Sequence, residues 1–172
     1  MKVKNQFLMF LVLLFTLICS TSVFASTSAV PINPTNPTTF ATYTNLCFES
    51  IETATINSNE QDGILMIDII NTKLVKKGNG AFKLTLPRYL EWNNLNVEVS
   101  KGNIELTKST ISNSGKTLNI NVKKVPTERS ILYLYFGVNA DEQRISGDSV
   151  TAKISGKSSG KLNGRYVYVA DF

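Results

Sequence analysis

Residues 118–123 read Leu-Asn-Ile-Asn-Val-Lys, a strict alternation of apolar and polar side chains. Successive side chains of a β-strand point to opposite faces, so this pattern predicts a strand with one buried face and one wet face. Asn113-Ser114-Gly115, a combination typical of turns, comes shortly before it. The segment therefore favours a β fold over a helical one.

The same period of two recurs on both sides of this segment. The apolar positions of the alternating runs are Leu65, Ile67 and Ile69; Phe82, Leu84 and Leu86; Leu95, Val97 and Val99; Leu132, Leu134 and Phe136; Val150, Ala152 and Ile154; and Val167 and Val169. Short alternating runs at spacings of about ten residues, punctuated by Gly, Asn and Asp, are typical of sandwiches and barrels. Because one face of each strand is apolar, we predict an all-β, antiparallel two-sheet β-sandwich of the immunoglobulin-like or cohesin-like kind.

The N-terminus has the three parts of a secretory signal peptide. Lys2 and Lys4 precede the apolar run from Phe7 to Cys19, and Val23-Phe24-Ala25 supplies suitable residues before a cut. A transmembrane helix needs about 20 apolar residues, and this run is shorter. We predict a signal peptide over residues 1–25, with no stable membrane anchor after cleavage; an uncleaved anchor is the alternative.

Residues 26–40 carry three of the five prolines and no charged side chain. Such a composition does not form a core, so we predict an extended Pro/Thr-rich linker, followed by a β-sandwich domain over residues 41–172. An extended segment beside a β domain also suggests self-association, by strand addition to the sheet edge of a second copy.

The charge of the chain limits the kinds of partner that it can bind. The net charge is +5, and loss of Lys2 and Lys4 with the signal peptide lowers it to +3. The remaining basic residues are dispersed, which argues against nucleic acid as a partner.

Cys19 leaves with the signal peptide, so no disulfide forms within the mature chain. We expect Cys47 to be a small buried apolar residue; an intermolecular disulfide is its functional alternative.

The chain contains no histidine. Ser-His-Asp hydrolase, Cys-His protease, His-ligated zinc and copper amine oxidase chemistry are therefore excluded. A hydrolase that uses only carboxylates remains a weaker alternative, since glycosidases need just two acids. Asp68 lies in an apolar strand and Glu91 beside Trp92, but neither has a recognisable partner, so we expect them to be an outward-facing residue and a rim residue.

Tyrosines supply the candidate ligand-binding residues. Tyr133 and Tyr135 alternate with the apolar set of one strand, and Tyr166 and Tyr168 with that of another. If those strands are neighbours, the four rings form one patch able to stack on sugars or to hold a partner, and Trp92 extends it from a loop. The simpler interpretation, which we favour, is that tyrosine suits a half-exposed sheet and that Trp92 fills the core.

A loop near residue 140 offers oxygen ligands. Asn139, Asp141 and Asp148, with Glu142, form a candidate calcium site. The spacing matches no defined calcium motif, and an Asx-rich turn without metal is the alternative that we favour. No other cofactor is predicted.

Two segments carry a family resemblance. Leu84-Thr85-Leu86-Pro87 is followed by Glu91-Trp92, and residues 145–156 read Ile-Ser-Gly-Asp-Ser-Val-Thr-Ala-Lys-Ile-Ser-Gly. Over about Ile64 to Ser155, the chain resembles the β-sandwich modules of clostridial and bacillar surface proteins that often adjoin copper-amine-oxidase-like N-terminal stalk domains. The resemblance implies a secreted or wall-associated, non-enzymatic module, and it supplies no catalytic residues.

The sequence therefore predicts a secreted, non-catalytic module with a structural or adhesive role at a Gram-positive cell envelope or extracellular matrix. Its partner would be a cell-wall or other polysaccharide, a surface protein or a second copy. A carbohydrate-binding module that uses an exposed tyrosine face is the alternative.

Overall fold

The structure, a computed structural model, describes residues 40–43, 45–58, 60–140 and 149–171. The predicted signal peptide and the predicted linker up to residue 39 lie outside the described residues. Phe40, the last residue of the predicted linker, is instead the first residue of a strand. In the described ranges, no helix has the length and apolar character needed to cross a membrane.

The described residues form short strands separated by turns, as the alternation predicts. In chain order they are β1 Phe40–Tyr43, β2 Leu46–Glu52, β3 Ala54–Thr55, β4 Gly63–Ile69, β5 Gly78–Thr85, β6 Leu90–Lys101, β7 Glu105–Ser112, β8 Thr117–Lys124, β9 Ser130–Ala140, β10 Ser149–Ser155 and β11 Tyr166–Asp171. Single 3-10 turns lie at Thr72–Leu74 and Gly160–Leu162.

The strands form two sheets, which confirms the prediction of an all-β two-sheet sandwich. Sheet A has the order β1-β2-β4-β9-β6, and sheet B has the order β3-β11-β10-β5-β8-β7. Pairing between the longer strands is antiparallel, but β3 runs parallel to β11, with Ala54 opposite Ala170. The chain leaves sheet A at Thr53 and joins sheet B at once, so the two-residue β3 is the start of a crossing between the sheets.

The core lies between the inner faces of the two sheets. The alternating apolar sets on β4, β5, β8, β9, β10 and β11 are buried, as predicted. Phe48 of sheet A meets Phe82 of sheet B edge to face, with ring centroids 6.0 Å apart. Burial of each large apolar side chain contributes about 1.5–3 kcal/mol, and no disulfide is described to supplement it.

The structure departs from the local sequence pattern in two places. Gly78-Asn79-Gly80, a combination of residues typical of turns, lies inside β5, where the register with β8 shifts between Gly78 and Phe82. On β6, Leu95 and Val97 are only half-buried and Val99 is 41% exposed. Because β6 is an edge strand of sheet A, its side chains have a neighbouring strand, β9, on one side only.

Trp92 lies in the core near the start of β6 and is 4% exposed. Its Nε1–H group donates to the backbone carbonyls of Leu84 at 3.2 Å and Lys116 at 3.0 Å. Its ring meets that of Phe136 edge to face, at a centroid distance of 5.0 Å. The interpretation favoured from the sequence, that Trp92 fills the core, is therefore the correct one, and the candidate role of extending a binding surface from a loop is wrong, because the indole is buried and bonded to two other segments.

Asp68 and Arg129 form an ion pair on the outer side of sheet A. Arg129 precedes β9, and its Nε and Nη2 atoms donate to the two Asp68 oxygens at 3.0 and 2.6 Å. Asp68 is 1% exposed although it faces away from the core. The expectation that it is an ordinary outward-facing residue was therefore incomplete, since the bidentate contact fastens the turn before β9 to β4.

A contrasting pair lies on sheet B. Lys123 and Lys124 approach the exposed carboxylate of Glu105 with their Nζ atoms 3.3 and 3.4 Å from its oxygens. Hydrogen bonds from Lys123 and then from Lys124 lower the pKa of Glu105. Exposed pairs of this kind contribute little to the free energy of unfolding.

The burial of Trp92 predicts the emission wavelength and the quenching of its fluorescence. It is the only tryptophan, so its emission should be blue-shifted and poorly quenched by acrylamide. Trp92→Phe should lower the free energy of unfolding by about 1–3 kcal/mol, because two hydrogen bonds are lost and a cavity remains. Urea unfolding measures the loss, with Tyr166→Phe, at a 53% exposed position, as the control. Efficient quenching in the native protein would contradict the buried position.

The two ion pairs should differ in their contribution to stability. Arg129→Ala leaves the Asp68 carboxylate buried without its guanidinium, and we expect a loss of about 2–3 kcal/mol, below the full value for a buried pair because Arg129 is half exposed. Lys124→Ala should change the free energy of unfolding by about 0.5 kcal/mol or less. Urea denaturation of both variants checks this. Equal effects would show that the Asp68 pair behaves as a surface contact.

Candidate functional site

The four predicted tyrosines do not form one patch. Tyr133 and Tyr135 lie on β9 in sheet A, whereas Tyr166 and Tyr168 lie on β11 in sheet B. The condition for a shared surface, that the two strands are neighbours, is not met. The alternation itself was correct, since the neighbouring apolar residues point inward on both strands. The predicted site therefore separates into two regions.

The first region is the outer side of sheet A. In the strand register, Tyr133 lies between Met66 of β4 and Glu98 of β6, and Tyr135 lies between Ile64 and Asn96. We call the half-buried set Ile64, Met66, Ile131, Tyr133 and Tyr135 the tyrosine face. It is unusual for the wet side of a sheet, because all five of these neighbouring positions on β4 and β9 are apolar or aromatic.

Acidic residues flank the tyrosine face. Glu49 of β2 is the register partner of Met66, and Glu98 of β6 is the partner of Tyr133. The row across four strands is therefore Glu49, Met66, Tyr133 and Glu98. Asn96 donates to the Glu98 carboxylate at 3.2 Å, which orients that carboxylate at the edge. An apolar centre with charges at its rim is the usual anatomy of a protein interface.

The Asp68–Arg129 pair adjoins the tyrosine face. Asp68 is the register partner of Ile131 on one side and of Cys47 on the other. Cys47 is 4% exposed, as the sequence led us to expect. The guanidinium of Arg129 is thus held beside the apolar set by a carboxylate that has little freedom to move. The face consequently has a charge-compensated ion pair at one end and the Glu49 and Glu98 carboxylates at its sides.

The second region is a groove where the chain crosses between the sheets. It has a volume of about 480 Å³, and its described lining consists of residues 50–53, Thr55, Asp62 and Tyr168. Of the four predicted tyrosines, Tyr168 is part of this groove, while Tyr166 lies outside its described lining and is 53% exposed. The walls are built by the end of β2 and the following Thr53, by Thr55 of β3, by the residue before β4 and by the middle of β11.

Two oxygen atoms in the groove lack partners. The Ser50 hydroxyl and Oδ1 of Asp62 are buried, and neither has a hydrogen-bond partner among the described residues. The other Asp62 oxygen, Oδ2, accepts from the backbone N–H group of Thr55 at 3.0 Å. Buried polar atoms without partners are rare in native proteins and point to a missing water, ion or ligand.

Hydrogen bonding fixes the wall of the groove. Thr53 donates its hydroxyl to a carboxylate oxygen of Asp171 at 2.6 Å, which links the β2–β3 crossing to the end of β11. The backbone N–H group of Ile56 donates to the Asp171 carbonyl at 3.1 Å. The groove is therefore framed by backbone and side-chain bonds between the two sheets.

The candidate calcium site falls largely outside the described residues. Asp141, Glu142 and Asp148 are not described; Asn139 lies exposed near the end of β9, and its Oδ1 accepts from Asn93 at 3.5 Å. Within the described ranges, no group of three or more His, Cys, Asp or Glu residues is placed to hold a metal. The calcium site stays a prediction.

Reasoning from the sequence missed the groove. Its lining comes from three places in the chain, and none of them carries a motif. The one available signal was Glu52-Thr53-Ala54-Thr55, in which one carboxylate and two hydroxyl side chains occur within four residues at the end of β2. That run shows a strand ending, but it does not show that Tyr168 lies beside it.

Comparison with protein-family models and with curated proteins finds no match for the chain. Among solved structures, the chain is similar to the non-cellulosomal cohesin from the hyperthermophilic archaeon Archaeoglobus fulgidus, with 18% sequence identity, coverage of 72% of this chain and 84% of that chain, and a TM-score of 0.33. A TM-score this low supports no inference about function or partners. Those inferences rest on the geometry of the tyrosine face and the groove, and the chain is classified here by its strand order as a two-sheet β-sandwich.

Proposed function

We propose that the protein is an exported, non-catalytic adhesion module of a Gram-positive cell envelope or matrix, and that it holds a partner protein through the tyrosine face. The observation that carries the proposal is the row of apolar and aromatic side chains on the outer side of sheet A, across β4 and β9. Antiparallel sheets normally present polar side chains on their wet side, so an apolar outer row favours a contact surface.

The composition of the face favours a protein partner. Tyrosine and methionine are enriched in protein interfaces, where tyrosine offers a large contact area and a hydroxyl group that hydrogen-bonds at the periphery. Tyr133 and Met66 are register partners at the centre of the face, between Glu49 and Glu98. The matching surface would have an apolar centre with Lys or Arg side chains at its edge, because those charges complement the two glutamates.

Export is supported by the N-terminal sequence. The basic residues, the apolar run and the Val23-Phe24-Ala25 cleavage pattern act together as an address for secretion. The absence of histidine from the sequence supports a non-catalytic role, because the commonest general base is not available. The resemblance to modules of clostridial and bacillar surface proteins supports the same placement at the envelope.

Export can be tested by the N-terminus of the secreted protein. When the full chain is expressed in a Gram-positive host, we expect the medium or wall fraction to contain protein that begins at Ser26, as read by intact-mass spectrometry. Ala25→Arg should block the cut, because small residues are required directly before it. Ala29→Arg, beyond the cut, is the matched control and should be processed normally. Protein that keeps Met1 in the cytoplasm would contradict export.

Binding to intact cells tests the tyrosine face. Fluorescently labelled protein should bind cells of the producing species saturably, and Tyr133→Ala/Tyr135→Ala should weaken binding by about tenfold or more, because truncation of central aromatic contacts typically costs more than 1 kcal/mol. Tyr166→Ala, which changes an exposed tyrosine on sheet B, is the matched control and should bind as the unchanged protein does.

Further measurements distinguish a protein partner from a polysaccharide or a second copy of the chain. If the partner is a protein, protease treatment of the cells should remove the part of the binding that depends on Tyr133 and Tyr135. Binding that survives protease and is lost in Tyr133→Ala/Tyr135→Ala would assign the face to a polysaccharide instead, and a concentration-dependent dimer in sedimentation would assign it to a second copy. Hydrolysis of envelope glycans that is lost in Glu52→Gln would contradict a non-catalytic role.

A further inference from the structure

We propose that the groove between β2, β3 and β11 binds a neutral or amino-bearing sugar unit of an extracellular glycan. This site is independent of the tyrosine face, because it is built mainly from the β2–β3 crossing and from β11 of sheet B. It replaces the four-tyrosine patch that the sequence suggested, and it keeps one member of that patch, Tyr168.

Asp62 is oriented to accept from a ligand. The N–H group of Thr55 holds Oδ2 at 3.0 Å, so rotation of the carboxylate would break a hydrogen bond. Oδ1 is then left buried without a partner among the described residues. An unpaired buried polar atom destabilises the folded chain, and a charged one does so more strongly. A hydroxyl or ammonium hydrogen from a ligand would remove that destabilisation.

Ser50 supplies a second unpaired oxygen as a result of an irregularity in β2. Ser50 is the register partner of Leu65, whereas Glu52 is the partner of Ile64, so Ile51 has no place in the ladder. The irregularity turns Ile51 outward, where it is 42% exposed, and leaves the Ser50 hydroxyl buried. A hydroxyl both donates and accepts, so Ser50 complements the acceptor on Asp62.

Apolar surface in the groove suits the carbon skeleton of a sugar. The described lining includes the half-buried Tyr168 and the exposed side chain of Ile51. Small-molecule sites combine apolar walls with a few well-placed polar groups, and tyrosine provides both an apolar ring and a hydroxyl group. A pyranose has apolar C–H faces and hydroxyl groups around its edge, which is the same combination of surfaces.

The volume of the groove and the charge of its lining indicate which class of ligand it binds. The volume of about 480 Å³ falls within the range of about 300–1,000 Å³ for small-molecule pockets. A calcium ion needs six to eight oxygen ligands at short distances, and no three acidic groups converge in the described chain. Glu52 and Asp62 place two carboxylates in the described lining, and no basic side chain is present there. These carboxylates would repel an acidic sugar, so the groove favours neutral and amino sugars.

Glycan-array binding by the purified secreted protein tests the site. We expect saturable binding to neutral or amino glycans and at least tenfold weaker binding to oligogalacturonate. Asp62→Asn should weaken binding about tenfold, because an amide keeps one acceptor but loses the charge. Tyr168→Ala should weaken it to a similar extent. Glu52→Gln, at an exposed position, should leave the free energy of unfolding unchanged and should weaken binding to amino glycans severalfold.

Matched controls separate this site from the adhesion surface. Tyr166→Ala, on the same strand as Tyr168, and Tyr133→Ala/Tyr135→Ala, on the other sheet, should leave glycan binding unchanged. Titration of the best glycan, followed by amide shifts in NMR spectra, should perturb residues 50–55, Asp62 and Tyr168. An array without saturable binding to any neutral or amino glycan overturns the proposal. So does binding that Asp62→Asn and Glu52→Gln leave intact, or the same amide shifts produced by Ca²⁺ alone.

Discussion

The contact between the inner faces of the two sheets is the interaction on which the whole domain depends. With no disulfide described, the apolar positions of both sheets must face each other, and the edge-to-face contact of Phe48 with Phe82 joins them directly. A shift of one residue in any strand register would turn its buried side chains to the solvent. The same constraint fixes what lies outside, because Tyr133 and Tyr135 face outward only if Leu132 and Leu134 face inward.

The crossing of the chain between the sheets creates the groove lined by carboxylate and hydroxyl side chains. At the end of β2 the ladder becomes irregular, the chain passes Thr53, and β3 pairs with β11 in parallel. The backbone there cannot complete an ordinary antiparallel ladder, so Thr53, Asp62 and Asp171 provide bonds in its place. A region that has to connect two sheets therefore also contains polar atoms whose hydrogen-bonding capacity is not used within the described chain.

The sequence predicted the elements of this fold better than their arrangement. Local alternation was enough to identify the buried faces of β4, β8 and β9, since the period of two is a property of each strand alone. It did not show that β9 and β11 belong to different sheets, because strand order is decided by contacts between distant segments. The four-tyrosine surface failed for that reason. Trp92 illustrates the same limit. Whether it fills the core or extends a binding surface depends on whether Leu84 and Lys116 lie beside the indole, and the sequence does not show this. The groove was not foreseen, because Ser50, Asp62 and Tyr168 are far apart in sequence.

The position of β11 has a consequence for the order of assembly. It is the latest described strand in the chain, yet in sheet B it lies between β3 and β10. β3 has no other partner in its sheet, so it cannot join sheet B until β11 has arrived. Contacts of such long sequence separation are closed slowly, because the intervening chain loses entropy before the contact forms. A nascent chain halted before β11 would have every strand of sheet A but an unfinished second sheet, and β3 would stay unpaired there until the segment that carries β11 has been made.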